Sequence, residues 1–154
     1  MEIRPLAQSD RQPLAELLSR IETFTPDEHQ VALELIDVAL QPNNSDYQVF
    51  VAVRERVVGY VCYGPTPMTD GTYDLYWIAS DPQVRGQGVG AALVSAMEGD
   101  LRRRKGRVIR VETSAMEAYG PTRGFYASMG YKEESRFRDF YKPGEDLIIL
   151  AKRL

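Results

Sequence analysis

The run Arg85-Gly86-Gln87-Gly88-Val89-Gly90 constrains this chain more than any other stretch. It follows a β-rich segment, Tyr73 to Ala79, that ends at Asp81-Pro82. It opens a stretch in which Val89, Leu93, Ala96, Met97 and Leu101 recur at helical period as far as a stop at Gly106. Glycines at a strand-to-helix turn let the backbone approach a ligand closely, and the unpaired N–H groups of a first helical turn point at an anion, so a pyrophosphate suits such a turn. Two familiar phosphate loops do not fit. The run lacks the Gly-Lys-Ser/Thr ending of an ATP-binding loop, and its G-x-G-x-G spacing departs from the dinucleotide fingerprint G-x-G-x-x-G. It also follows the third strand of an antiparallel meander, where a dinucleotide fold uses the first strand of a parallel βαβ unit.

The flanking sequence supplies the rest of an α/β layout. Ile3 to Leu6 reads as an edge strand, and Ser9-Asp10 caps a helix carrying Leu14, Leu17, Leu18 and Ile21. Thr25-Pro26-Asp27-Glu28 is a capping box with proline at the first helical position, opening a helix to about Leu40 with Val31, Leu35 and Val38 on one face. Gln48 to Val53 is a nearly continuous apolar run, as in a strand covered on both faces, and Val57 to Tyr63 is its hairpin partner. After the glycine run come a strand from Val108 to Thr113, a helix from about Pro121 to Met129 closed by Gly130, and strands at Tyr131 to Arg136 and Asp146 to Lys152.

With 154 residues, the chain is the size of one ordinary domain, so residues 1–154 are read as a single unit. Its net charge of −3, from 19 basic and 22 acidic residues, gives no reason to expect nucleic acid. The basic run Arg102-Arg103-Arg104-Lys105 complements the negative end of a helix. No stretch has the length of a membrane span or the pattern of a signal peptide, which sets a cytoplasmic location as the expectation.

Three segments in order resemble the GNAT superfamily of acetyltransferases: Arg85-Gly86-Gln87-Gly88-Val89-Gly90, which matches its Gln/Arg-x-x-Gly-x-Gly/Ala signature; Tyr76-Trp77-Ile78-Ala79-Ser80-Asp81-Pro82; and Gly124-Phe125-Tyr126-Ala127-Ser128-Met129-Gly130-Tyr131. The resemblance covers nearly the whole chain. It implies an N-acyltransferase fold: a mixed, mostly antiparallel sheet of about six or seven strands flanked by about four helices, split into a V between a strand ending near Ile78 and one beginning near Val108. Acetyl-CoA, the implied co-substrate, lies in that V. The backbone of Ile78, Ala79 and Ser80 would pair with its pantetheine arm, and N–H groups of Arg85, Gly86, Gln87, Gly88, Val89, Gly90 and Ala91 would hold its pyrophosphate.

The resemblance also assigns chemistry. Tyr126 matches the tyrosine that points at the CoA sulfur and protonates the departing thiolate, a task suited to a phenol that is protonated at neutral pH. A backbone N–H near Ile78, at a bulge, would stabilise the oxyanion. For the base the sequence leaves Glu112, Asp74 or an ordered water open. Glu112 matches a strand glutamate that serves through water in some members, yet Val108, Arg110 and Glu112 share a face and an Arg110–Glu112 surface pair explains them equally. Asp74, Tyr76 and Ile78 share a face by alternation. Where the family often has asparagine this chain has Tyr119, which puts that contact in doubt.

Cys62 and His29 are better explained by burial in a strand and by solvent exposure on a helix than by covalent catalysis, and they make no metal site. The expected acceptor is a primary amine, a small molecule slightly favoured over a protein, because tyrosines 73, 76, 119 and 141 are suited to wall a compact pocket. The segments 23–28, 65–72 and 138–145 would shape it, with Asp74, Asp139 and Glu145 as attractors of a cation. The last strands leave an edge on which a homodimer is plausible. A non-catalytic domain that binds acetyl-CoA as a sensor is the alternative, and Tyr126 discriminates the two.

Overall fold

The strand-forming runs assemble into one seven-stranded sheet in the computed structural model, which describes residues 1–154. In chain order the strands are β1 (Glu2–Pro5), β2 (Gln48–Val53), β3 (Val57–Pro65), β4 (Thr72–Ser80), β5 (Val108–Ser114), β6 (Lys132–Lys142) and β7 (Glu145–Arg153). Across the sheet the order is β1-β2-β3-β4-β5-β7-β6, and only β4 and β5 run parallel. Four helices flank it: α1 (Arg11–Ser19), α2 (Pro26–Ala39), α3 (Val89–Arg103) and α4 (Gly120–Ser128). None is long and apolar enough to cross a membrane.

Each face of the sheet has its own core, which is why β2 and β3 read as unbroken apolar runs. On one face, Leu93, Met97 and Leu101 of α3 and Tyr126 of α4 pack on Val61, Leu75, Ile109 and Ile148. On the other, Leu14 and Leu17 of α1 and Ile36 of α2 pack on Val49, Val51, Tyr60 and Cys62. The inner face of α2 differs from the one expected. Ala32 and Ile36 are buried, while Val31 and Val38 are exposed, because the helix is rolled to set its smallest side chain against α1 and the sheet.

The feature that positions everything else is the short contact between β4 and β5. They pair only from Thr72 to Leu75 with Val108 to Val111, and then diverge. The register of β4 against β3 slips at the same point: Cys62 faces Trp77 and Tyr63 faces Leu75, so Tyr76 is a bulged extra residue. The bulge reverses the alternation. Leu75 and Ile78 both pack on the α3 face, whereas Trp77 and Ala79 pack on the α1–α2 face. The expectation that Asp74, Tyr76 and Ile78 share one face therefore fails at Ile78.

Helix ends follow their caps. Thr25 Oγ1 accepts from Glu28 N–H at 3.1 Å, and the Glu28 carboxylate reaches back to Thr25 N–H, the capping box legible in the sequence. The end of α3 is one residue earlier than Gly106 implied. Lys105 takes the left-handed conformation (φ 62°), and the N–H groups of Lys105 and Gly106 donate to Arg102 O and Leu101 O at 3.1 and 2.8 Å. Gly106 is small for a different reason, since a β-carbon there would lie 3.1 Å from Leu101 O and from the Tyr73 ring. Arg102, Arg103 and Arg104 pair with Glu98 and Asp100 of their own helix. Lys105→Gly is expected to relieve the strained backbone and stabilise the fold by about 0.5–1 kcal/mol, read as a Tm rise of about 2–4 °C.

Candidate active site

Where β4 and β5 part, a cavity of about 710 Å³ opens. Tyr76, Trp77 and Ile78 of β4 form one wall and Glu112, Thr113 and Ser114 of β5 the other. Phe24, Thr25 and Glu28 close it from the α1–α2 connection, Tyr119, Thr122 and Tyr126 from α4 and its approach, and Tyr141 and Glu145 from the β6–β7 turn. Of the expected tyrosines, 76, 119 and 141 line the cavity, while Tyr73 packs on the core. Residues 65–72 and Asp139 contribute nothing to its walls. Phe24, Thr25 and Glu28 come from the expected segment 23–28, and Tyr141 and Glu145 from 138–145, whereas Trp77 and Thr122 were not expected in the walls. The only signal for these two was nearness to segments whose paths are set by long-range packing.

Beyond Leu75 the edge of β4 that faces β5 is unpaired. On its other edge Ile78, Ala79 and Ser80 are registered against Val61, Tyr60 and Gly59 of β3. The free edge leads to the glycine run, where Gly86 and Gly88 hold positive φ (78° and 81°) with open space at their β-carbon positions. Within the run, Arg85 N–H and Gln87 N–H are used in turn bonds to Pro82 O and Val84 O, and the first intrahelical bond is Ala92 N–H to Gly88 O at 3.0 Å. The N–H groups of Gly86, Gly88, Val89, Gly90 and Ala91 have no protein acceptor, and Gly88 supplies no side-chain cap. Such a nest suits an oligophosphate. A β-carbon at Gly90 would come within 3.2 Å of the Phe125 ring, so this glycine seats α4 against the start of α3.

The run is pinned by a residue that the sequence presented only as a turn. Asp81 is fully buried and accepts from Gln83 N–H at 2.9 Å, from Arg20 at 2.7 Å and from Arg56. Burial alone would raise its pKa, but the hydrogen bonds from Arg56, Gln83 N–H and Arg20 outweigh it and hold the carboxyl down at about 2. Arg54, in the same β2–β3 turn as Arg56, bonds the side chain of Gln87 and, at 3.3 Å, its carbonyl.

Tyr126 is 3% exposed, and its phenol, which reaches the cavity, has no hydrogen-bond partner. Burial pushes its pKa up, so it stays protonated. Its ring stands edge-on to Phe125 and Tyr131 at 5.3 and 5.6 Å. Tyr131 is fixed in turn by donating to buried Glu98 at 3.1 Å, and Lys152 donates to the same carboxylate at 2.7 Å. Nothing in the sequence reading pointed to this network, which joins α3, β7 and Tyr131 beyond the end of α4.

Glu112 lies on the open face of β5, has no hydrogen-bond partner, and borders both the main cavity and a smaller one of about 130 Å³. The expected Arg110–Glu112 pair does not form. Arg110 turns instead to Asp74, its register partner on β4, at 2.6 Å. Asp74 also accepts from Thr66 Oγ1 at 2.8 Å, and it borders only the smaller cavity. Cys62 is fully buried, its thiol pushed up to about 12 by burial. His29 is half-buried rather than exposed, with Nε2 3.2 Å from Ile21 O and its ring edge-on to Phe24. No group of three His, Cys, Asp or Glu side chains is arranged to hold a metal ion.

Comparison with known proteins agrees with this geometry. The family model for the acetyltransferase (GNAT) domain matches residues 45–133, and the chain belongs to the GNAT acetyltransferase family. A crystal structure assigned to the same family, from Desulfovibrio desulfuricans, is 37% identical with a TM-score of 0.93, covering 99% of this chain and 98% of that one. An uncharacterized N-acetyltransferase of Methanocaldococcus jannaschii is 31% identical over 101 residues, 64% of this chain and 60% of the relative's length. At the level of fold alone, an aminoglycoside 6'-N-acetyltransferase complexed with coenzyme A aligns at 18% identity and TM-score 0.78, over 99% of this chain and 97% of that one.

Because the folded pKa of Asp81 lies below its ordinary 3.8, the stability it contributes is full above about pH 4 and is lost as pH falls through about 2. Asp81→Asn is expected to cost about 3 kcal/mol at pH 7, by leaving two guanidinium groups without their counter-charge. Urea unfolding at neutral and acid pH checks this: the gap between wild type and variant narrows by about 2 kcal/mol at the acid end.

Proposed function

We propose that this chain transfers the acetyl group of acetyl-CoA to a primary amine by direct attack in a ternary complex. The observation that carries the reading is the buried, unpartnered phenol of Tyr126, next in sequence to the Phe125 ring that packs against the start of the glycine-rich helix. The Tyr60 hydroxyl, also unpartnered, is sealed in the α1–α2 core, whereas that of Tyr126 opens onto the cavity, where a bound ligand can meet it. That favours an enzyme over a domain that merely senses acetyl-CoA.

In this reading the free N–H groups of Gly86 and of Gly88 to Ala91 hold the diphosphate of acetyl-CoA. The unpaired β4 edge at Ile78, Ala79 and Ser80 receives the pantetheine amides as an added strand would. The thioester carbonyl then stands before backbone N–H groups freed by the Tyr76 bulge, Ile78 foremost, which stabilise the oxyanion. Glu112, with no competing partner, takes the amine proton directly or through water, and Tyr126 gives its proton to the leaving thiolate. Asp74, already held by Arg110 and Thr66, is assigned to holding Arg110 in place, not to proton transfer. Direct attack is favoured over an acyl-cysteine intermediate, since the Cys62 thiol is buried and held protonated.

Tyr126→Phe is expected to lower kcat about a hundredfold, with the Kd for CoA, by calorimetry, within about twofold of wild type. Glu112→Gln is expected to lower kcat by about tenfold or more. Both are read from release of free CoA thiol across a panel of amines. Tight CoA binding with no thiol released from any amine would establish the sensor instead.

A further inference from the structure

We infer that the acceptor carries a second positive charge: it is a compact di- or polyamine whose spare ammonium is held by Glu28 and Glu145 while its reacting amine stands before Glu112. The inference rests on the acetyltransferase reading. Glu28 from the first turn of α2, Glu112 from β5 and Glu145 from the start of β7 all line the main cavity, and no lysine, arginine or histidine does.

These three carboxylates lack the partners that other acids of the chain have. Asp10, Asp37, Asp74, Asp81 and Glu98 each have a guanidinium or ammonium nitrogen within 3.0 Å. Glu28 accepts only from Thr25 N–H at 3.4 Å. Glu145 accepts from Ser114 Oγ at 2.8 Å, and its nearest cation, Lys142, is 3.9 Å away. Glu112 has no partner at all. An acceptor with one amine, which must be neutral to attack, would leave Glu28 and Glu112 without a counter-charge and Glu145 with only the distant Lys142.

The walls and their potential agree. The phenols of Tyr119 and Tyr141 have raised pKa values, from burial first, then from the fields of Glu28 and Glu145 at Tyr119 and of Glu112 and Glu145 at Tyr141. The ring faces of Tyr119, Tyr141 and Trp77 also attract a cation and accommodate an alkyl chain. The carboxylates are too dispersed to ligate a metal ion, so an extended organic cation is the counter-charge they fit. The buried, unpartnered phenol of Tyr126 in the same cavity marks it as a place where a ligand reacts. Its volume of about 710 Å³ is in the range for a small molecule. The chemistry balances: one N–C bond forms as the C–S bond breaks, the amine proton leaves by way of Glu112, the thiolate takes a proton from Tyr126, and the second ammonium stays charged.

The test compares putrescine with n-pentylamine, which has the same number of heavy atoms and one charge fewer, with spermidine and short N-terminal peptides alongside. At low salt kcat/KM for putrescine is expected to exceed that for n-pentylamine by about tenfold or more, the scale of one charged hydrogen bond, and the ratio is expected to shrink as salt is raised. Glu28→Gln with Glu145→Gln keeps the capping box and the Ser114 contact while removing both charges, so the ratio should fall toward one with CoA affinity unchanged. Equal kcat/KM for the two amines, a ratio that survives in the double variant, or peptides that outperform every di- and polyamine would overturn the inference. If no amine releases CoA thiol, the acetyltransferase reading fails separately, and thermal melting with putrescine alone decides: protection lost in the double variant upholds the cation site, and no protection sinks it.

Discussion

Two parallel strands, β4 and β5, touch for only four residues each and then separate, and most of the molecule's functional geometry is a consequence. A sheet that stayed zipped would present neither an unsatisfied strand edge nor a cavity. The bulge at Tyr76 supplies the local means, because an inserted residue increases twist and turns the strand away from its neighbour. The separation is held open from below: Asp74 and Arg110 tie the strands one position before the last shared register, and the α3–α4 core fills one side of the sheet under the fork.

Much of this was legible in the chain. Gly86, Gly88 and Gly90 between an apolar strand and an amphipathic helix marked the position of the turn with free N–H groups, and Thr25-Pro26-Asp27-Glu28 marked the start of α2. Seven strands and four helices match the architecture implied by the resemblance. What escaped was governed by residues far apart in sequence. The pairing of Arg110 with Asp74 depends on which strands become neighbours, and the roll of α2 depends on the shape of α1. The resemblance implied a bulge near Ile78, but its place at Tyr76 has no proline or glycine to announce it, so parity arguments on β4 held as far as Tyr76 and failed at Ile78. At the helix stop, Lys105 adopts a conformation that glycine usually takes, and the adjacent Gly106 drew attention one position too far.

Charge is distributed with a clear division of labour. On the side of the glycine run the buried carboxylate is neutralised, Asp81 by Arg20 and Arg56. On the side of the open cavity Glu28 and Glu112 have no cationic partner and Glu145 only Lys142 at 3.9 Å. In the proposed reading an anionic group binds at one end of the fork and a cationic one at the other, and the two meet near Tyr126.

The two cores on opposite faces of the sheet are built from nearly separate sets of side chains, joined through the strands they share. Substitutions in the α1–α2 connection or the β6–β7 turn reshape the mouth of the cavity without disturbing the packing of α3 and α4 beneath the glycine run. A lineage built on this plan is therefore free to change what it modifies while conserving the donor it draws upon, since the two choices are written into different layers of the molecule.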